Sequence, residues 1–346
     1  MAQKLIKNIA TVNIIIYNIK RLGGIFAMVK KIGILTSGGD SQGMNATLLG
    51  AIRTGCRLGK EMYVVYDGYK GLIDNNFVKV GPDFMDHTYN KGGTVIKTKR
   101  LPEFKEERVR EIAVENLKKE GIEALIVIGG DGSYMGAKKL TEMGINCVGL
   151  PGTIDNDISS SDFTIGFDTA LNNVVTAIDQ IKETMSSHNR CCLIEVMGNK
   201  CPDLTLFAGI ACKADYIVTA DRPLEEKELI ASLKKDKEEG KDCEIVLISE
   251  KLYDLNELTK HIKEQTGWDT RNDVLGYIQR GGAPTAMERF NSIRMGSYAV
   301  ELLDQGIGGV CVGLVNNELK YFDILEALDF PRNKHLDLYK TYDLIK

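Results

Sequence analysis

The 346-residue chain is 43% hydrophobic and 27% charged, an ordinary globular balance with apolar residues enough for one large or two medium cores. A formal net charge of −4 gives no general affinity for nucleic acid or an anionic membrane, so neither is expected as a partner. Eight cysteines without a C-x-x-C pair argue against a disulfide framework or a zinc ribbon and for reduced thiols in a cytoplasmic protein.

Residues 4–27 are rich in Ile and Asn and carry Lys4, Lys7, Lys20 and Arg21. The apolar part is too short and too polar to span a membrane. A basic start before a short apolar run has the outline of a signal peptide, but without a small-x-small cleavage site. Residues 1–27 therefore read as a translated upstream region or a disordered extension, and VKKIGILTSGGD after Met28 as the first strand of a domain.

From Lys30 onward, short apolar runs alternate with amphipathic segments. KKIGILTSGG, EMYVVYDG, IEALIVIGG, INCVGLPG, CCLIEVMG, DYIVTA, CEIVLISE and GGVCVGLV predict buried strands. Segments 105–120, 133–143, 168–185, 225–239 and 254–266 have helical spacing. This alternation implies parallel sheets covered by helices on both faces, in two α/β domains in close contact. Strand alternation sends Cys191 and Cys192 to opposite faces. KKDKEEGKD (234–242) reads as a solvated helix end.

Three polar turns follow predicted strands: TSGGDSQGMN (36–45), GGDGS (129–133) and PGTIDND (151–157). Ligands of open α/β sheets bind beyond the C-terminal ends of strands. Glycines there let backbone N–H groups approach a phosphate, and a helix N-terminus adds a favourable dipole. Gly38-Gly39-Asp40 lies before a helix starting near Gly43 but is not a Walker A loop. Asp131 in GGDGS could hold a Mg²⁺ that bridges phosphates. Together the turns point to phosphoryl transfer, which needs phosphate anchors, a metal ligand, charge neutralisation and an acceptor for the hydroxyl proton. Asp155 and Asp157 supply a candidate base and its partner. Arg100, Arg190, Arg271 and Arg280 sit in non-helical contexts and are candidate phosphate clamps. A surface charge is the competing reading of each. The four histidines form no nucleophile–base pattern, and His188 reads as structural.

The motifs TSGGDxxGMNA, YDGYxGL, GGDGSYMGA, GLPGTIDNDI, TIGFDTA, SSHxR, EVMG and GYIQRGG occur in the order and spacing of the bacterial ATP-dependent 6-phosphofructokinase family, over nearly all of residues 29–346. The resemblance implies two Rossmann-like three-layer α/β domains with mostly parallel sheets. Residues 29–166 plus about 279–329 would form the ATP-binding domain, and 167–278 plus about 330–346 the sugar-phosphate and effector domain. It implies a homotetramer with active sites shared between subunits, and Mg²⁺-dependent transfer of the ATP γ-phosphoryl group to the 1-hydroxyl of fructose 6-phosphate, a step of glycolysis.

By position, Asp155 matches the family's proton acceptor, flanked by Thr153 and Asp157. Asp131 matches the Mg²⁺ ligand. Gly39, Arg100, Leu101, Gly130, Gly132 and Ser133 match ATP contacts. Met197, Gly198, Glu250 and Arg280 match sugar-phosphate contacts, and Arg190 and Arg271 match arginines that reach the sugar phosphate from a neighbouring subunit. Gly132 and Gly152 stand where pyrophosphate-using relatives resemble Asp and Lys, which favours ATP here.

The chain also departs from the pattern. Asn199 replaces an arginine that reaches the reacting phosphates, a kind of contact worth on the order of 10³-fold in rate, with Lys200 beside it. Pro202 replaces a glycine, and Tyr277 a histidine at the 6-phosphate. The family's effector site takes ADP or phosphoenolpyruvate. Arg53, Lys182 and Lys241 remain basic there and Lys213 lies in the same site, but Leu49, Pro82 and Glu239 stand where cations are expected, Cys243 for a histidine and Asp215 for a metal-binding glutamate. Three readings follow: a slow, poorly regulated 6-phosphofructokinase, a kinase for another sugar phosphate, or a weakly catalytic regulatory subunit.

Overall fold

The computed structural model describes residues 29–332 and 335–346; the expected extension at 1–27 lies outside them. All eight apolar runs are strands. In chain order the strands are β1 (Lys31–Thr36), β2 (Glu61–Val65), β3 (Phe77–Val80), β4 (Ala124–Gly129), β5 (Asn146–Thr153) and β6 (Ile165–Gly166). There follow β7 (Arg190–Val196), β8 (Tyr216–Val218), β9 (Glu244–Ser249), β10 (Asp269–Val274), β11 (Val310–Val315) and β12 (Glu318–Asp323). The helices are α1 (Met44–Arg57), α2 (Tyr69–Ile73), α3 (Glu107–Glu120), α4 (Asp131–Glu142), α5 (Phe167–Ser187) and α6 (Asp203–Ala211). The chain continues with α7 (Glu226–Glu238), α8 (Leu255–Thr266), α9 (Ala286–Asp304), α10 (Ile324–Ala327) and α11 (Leu336–Ile345).

The strands form two sheets. The larger runs β12-β11-β5-β4-β1-β2-β3, with β6 paired to β5; the smaller runs β10-β7-β9-β8. Pairing is parallel except at the outer strands β3 and β12 of the larger sheet. Each sheet is covered on both faces, as continuous apolar strands require. One face of the larger sheet packs against α1 and α9, the other against α3 and α4. The smaller sheet carries α5, α6 and α11 on one face and α7 and α8 on the other. Cys192 joins the first of these cores and Cys191 the second, as alternation requires.

Several elements escape the periodicity argument, among them β3, β12 and α9. β3 and β12 are edge strands exposed along much of their length; β3 has only four residues and β12 (ELKYFD) is largely polar, so neither forms a continuous buried apolar run. Helix α9 buries Glu288, Ser292, Met295, Gly296, Ala299 and Val300, which leaves no single apolar stripe to read. It crosses α1 at glycines: a Cβ on Gly296 would stand 2.2 Å from the Thr47 carbonyl oxygen, and one on Gly50 2.2 Å from that of Ile293. Backbone atoms cannot yield as a side-chain tip can. Gly296→Ala should therefore force the helices apart and cost about 1–3 kcal/mol in urea unfolding.

Candidate active site

The C-terminal strand ends of both sheets face one cleft of about 830 Å³. From the larger sheet, Ser37–Asp40 follow β1, Gly130–Ser133 follow β4, and Thr153–Asp157 end and follow β5. From the smaller sheet come Met197 and Asn199 after β7 and Glu250 after β9. Arg100, Leu101 and Arg280 enter from connecting segments. The expected donor residues and Met197, Asn199, Glu250 and Arg280 of the expected sugar residues thus line one cavity, with Gly198 between Met197 and Asn199.

The acidic turn is held by its asparagine. Asn156 adopts φ 54°, a left-handed conformation that Asn tolerates better than most residues. Its side-chain amide donates to Asp203 Oδ2 (2.7 Å) and the Asp162 carbonyl (3.1 Å), and its Oδ1 accepts from the Thr164 N–H (2.9 Å). Thr164 Oγ1 donates to the Thr153 carbonyl at 2.6 Å, and the Asp155 N–H donates to Thr153 Oγ1 at 3.1 Å. With the backbone satisfied, the carboxylates of Asp155 and Asp157 are left for the cleft.

These carboxylates crowd each other and Asp131. Burial raises the proton affinity of Asp131, with Arg332 opposing it. Burial likewise raises that of Asp155, assisted by Glu250 and opposed by Arg280, Lys251 and Arg332. Asp157 is pushed up to about 6 by burial and by the charges of Asp131 and Asp155. Its Oδ1 is buried without a hydrogen-bond partner among the described residues. Converging anionic oxygens with an unsatisfied acceptor suit a divalent cation. Among the described residues no cluster of three or more His, Cys, Asp or Glu forms a cage.

The phosphate-facing loops are open to a ligand. A Cβ on Gly132 would meet nothing within 4 Å, so any side chain there would occupy the cleft. A Cβ on Gly39 would stand 2.2 Å from Arg280 Nη2. That guanidinium donates to Asp40 Oδ1 (2.8 Å) and to the Asp40 carbonyl (2.9 Å). The 3₁₀ turn carrying Arg280 (Gly276–Arg280) is tied down by Gln42, whose Nε2 donates to the carbonyls of Gln279 and Gly281, both at 2.8 Å. Gln279 Oε1 in turn accepts from the Met197 N–H at 3.0 Å.

On the sugar side, Glu250 Oε1 accepts from the N–H groups of Asn199 (2.7 Å) and Gly198 (3.3 Å). Asn199 has φ 54°, so the residue suits the backbone of this turn while supplying no charge. Lys200 is exposed and does not line the cleft.

Arg190, Arg271 and Tyr277 lie outside the cleft of their own chain. Both arginines pair with Asp269 at 2.7 Å on or beside the edge strand β10. Tyr277 is 84% exposed. Five cations not singled out in the sequence line the cleft, Lys99, Lys105, Arg110, Lys139 and Lys251. Lys99 and Lys251 are adjacent to residues already singled out, but a lone cation carries no signal by itself. Arg332, also missed, donates from Nη2 to the Asp157 carbonyl at 3.2 Å.

The crowding has a measurable consequence. Because the folded pKa of Asp157 (about 6) lies above its ordinary 3.8, the folded state binds more protons than the unfolded state between them. Stability falls as pH rises through that window and stays reduced above it. In Mg²⁺-free, ligand-free buffer, Asp157→Asn should stabilise the fold at pH 8, by at most ~3 kcal/mol, and have little effect at pH 4. Urea unfolding at the two pH values reads this directly.

The phosphofructokinase family model matches residues 31–303. The chain is 52% identical over 317 residues to the ATP-dependent 6-phosphofructokinase of Photobacterium profundum, covering 91% of this chain and 99% of the relative. It is 51% identical over 315 residues to that of Vibrio cholerae, covering 91% and 98%. Among solved structures it is similar to phosphofructokinase from Saccharomyces cerevisiae, with TM-score 0.82, 30% identity and 90% of this chain covered. The chain spans 50% of the length of that yeast chain. A pyrophosphate-dependent phosphofructokinase from Marinobacter aquaeolei shares the fold at TM-score 0.79 and 19% identity, covering 89% of this chain and 86% of that one. With its two helix-covered sheets and the strand-end cleft between them, the chain belongs to the phosphofructokinase family.

Proposed function

We propose that this chain transfers the γ-phosphoryl group of ATP to the 1-hydroxyl of fructose 6-phosphate, giving fructose 1,6-bisphosphate and ADP. The observation that carries the reading is the convergence of Asp155, Asp157 and Asp131 at the open Gly130–Ser133 loop. The near full-length relatives at 51–52% identity bear the name of that activity and favour it over the other two readings.

In this mechanism Asp155 accepts the proton of the sugar 1-hydroxyl as that oxygen forms its bond to the γ-phosphorus and the bond to ADP breaks. Its raised proton affinity brings a carboxylate closer to the range useful for general base work. Thr153 and Asp157 support it, with Thr153 fixing the turn through the Asp155 N–H. Gly39, Gly130, Gly132, Ser133, Arg100 and Leu101 receive the nucleotide, and the bare Gly132 leaves room for it. Asp131 and Asp157 are the residues that would hold Mg²⁺, which supplies charge neutralisation at the phosphates. Met197, Gly198, Glu250 and Arg280 receive the sugar phosphate.

We take the chain to divide into the two domains named above, an ATP-binding and a sugar-phosphate domain. Arg190, Arg271 and Tyr277 would serve the active site of a neighbouring subunit in a homotetramer. Their position outside their own cleft, with Arg271 and Tyr277 exposed, supports this, as do the exposed Val274, Ile278, Met287 and Phe290 in the same stretch. Eight free cysteines suit the cytoplasm, and among the described residues no helix is long and apolar enough to cross a membrane.

The effector residues are engaged within the chain. Arg53 pairs with Asp86 (2.6 Å), and Lys182 Nζ donates to the Cys212 carbonyl (3.1 Å). Lys241 lies 3.1 Å from Glu244, 3.5 Å from Asp215 and 3.8 Å from Asp236. Lys213 stands beside them at φ 50°. Such a site offers ADP few uncommitted cations.

A coupled assay with Mg²⁺·ATP and fructose 6-phosphate tests the reading. Asp155→Asn should lower kcat by about 10²–10⁴-fold with the fold intact. Added ADP should leave the substrate curve unchanged in shape. Full activity in Asp155→Asn would remove the assigned base, and a sigmoidal-to-hyperbolic shift with ADP would restore the effector site.

A further inference from the structure

Beyond α10 the chain touches the acidic turn, and α11 packs on the smaller sheet. Arg332 Nη2 donates to the Asp157 carbonyl at 3.2 Å. Three residues on, His335 Nε2 lies 3.1 Å from Asp203 Oδ1, and Asp203 Oδ2 is the acceptor of Asn156, the residue that shapes the same turn. Beyond it, α11 is anchored on the smaller sheet: Tyr342 Oη donates to the Asp215 carbonyl (2.7 Å), and Tyr339 Oη donates to Asp221 Oδ1 (2.6 Å).

We propose that Arg332 is a positioning residue of the phosphoryl-transfer reaction: from the segment between α10 and α11 it holds the backbone of the acidic turn and places a positive charge beside the carboxylates. The inference rests on the function proposed above. The Arg332 guanidinium bonds the backbone of Asp157, the residue whose carboxyl Oδ1 is buried without a hydrogen-bond partner among the described residues. The arginine side chain is exposed, so its contribution is to geometry and charge and not to a core.

Two readouts on the full chain test this. In Arg332→Ala, hydrogen exchange of peptides covering residues 151–162 should quicken while the rest of the protein is unchanged. The kcat for fructose 6-phosphate should fall about tenfold or more, with KM moving far less. Arg332→Lys should recover part of both. If Arg332→Ala does not fold, Arg332→Gln serves for the same pair of measurements. Unchanged exchange overturns the proposal, and so does quickened exchange with kcat within about twofold of the parent. The exchange result stands whether or not the parent phosphorylates fructose 6-phosphate. Failure of the proposed function would appear separately, as an inactive parent.

Discussion

Carboxylates brought together away from water repel one another, and much of this site is organised around that repulsion. Asp131 starts a helix after β4, while Asp155 and Asp157 lie on the turn after the neighbouring β5. Parallel pairing of β4 with β5 makes their proximity unavoidable. Left alone, such a turn would relax outward. Asn156 prevents this: its left-handed backbone and its hydrogen bonds to Asp203, Asp162 and Thr164 fix the loop from inside. The unmet charge is then available to a cation and to the proton of an incoming hydroxyl.

The second sheet gives the cleft its other wall. Its strands β7 and β9 end at Met197–Asn199 and at Glu250, and Glu250 caps the former turn through two backbone N–H groups. Gln279 and Gln42 then bind that turn, the Arg280 segment and the start of α1 into one chain of hydrogen bonds across the cleft. The two walls of the cleft thus share a scaffold. A change such as an asparagine at position 199 alters the charge of the wall without undoing its backbone.

Much of this was legible in the sequence, for physical reasons. Buried parallel strands need continuous apolar runs, so β1, β4, β5, β7 and β9 announce themselves, and the glycine- and acid-rich turns behind them mark the ligand face. The edge strands β3, β10 and β12 offer no continuous buried apolar run, and helix α9 places Glu288 and Ser292 on its buried face, so none of these carries a clear apolar period. At the site, Asp155, Asp131 and the glycines stood out because their types are costly at strand ends. Lys99, Lys251 and Arg332 did not, because their contribution depends on where a distant segment returns, and no local pattern encodes that. Asn199 shows the converse: its departure from the motif was visible at once, but its fit to a left-handed turn emerged only with the backbone.

The central claim is that this arrangement transfers a phosphoryl group to a defined oxygen. Phosphorus and carbon NMR of a reaction containing the purified chain, Mg²⁺, ATP and fructose 6-phosphate tests it most directly. The account predicts ADP together with a new phosphate ester on carbon 1 of the sugar. ATP left intact with the folded chain at high concentration, or phosphate found on any other oxygen, would contradict it.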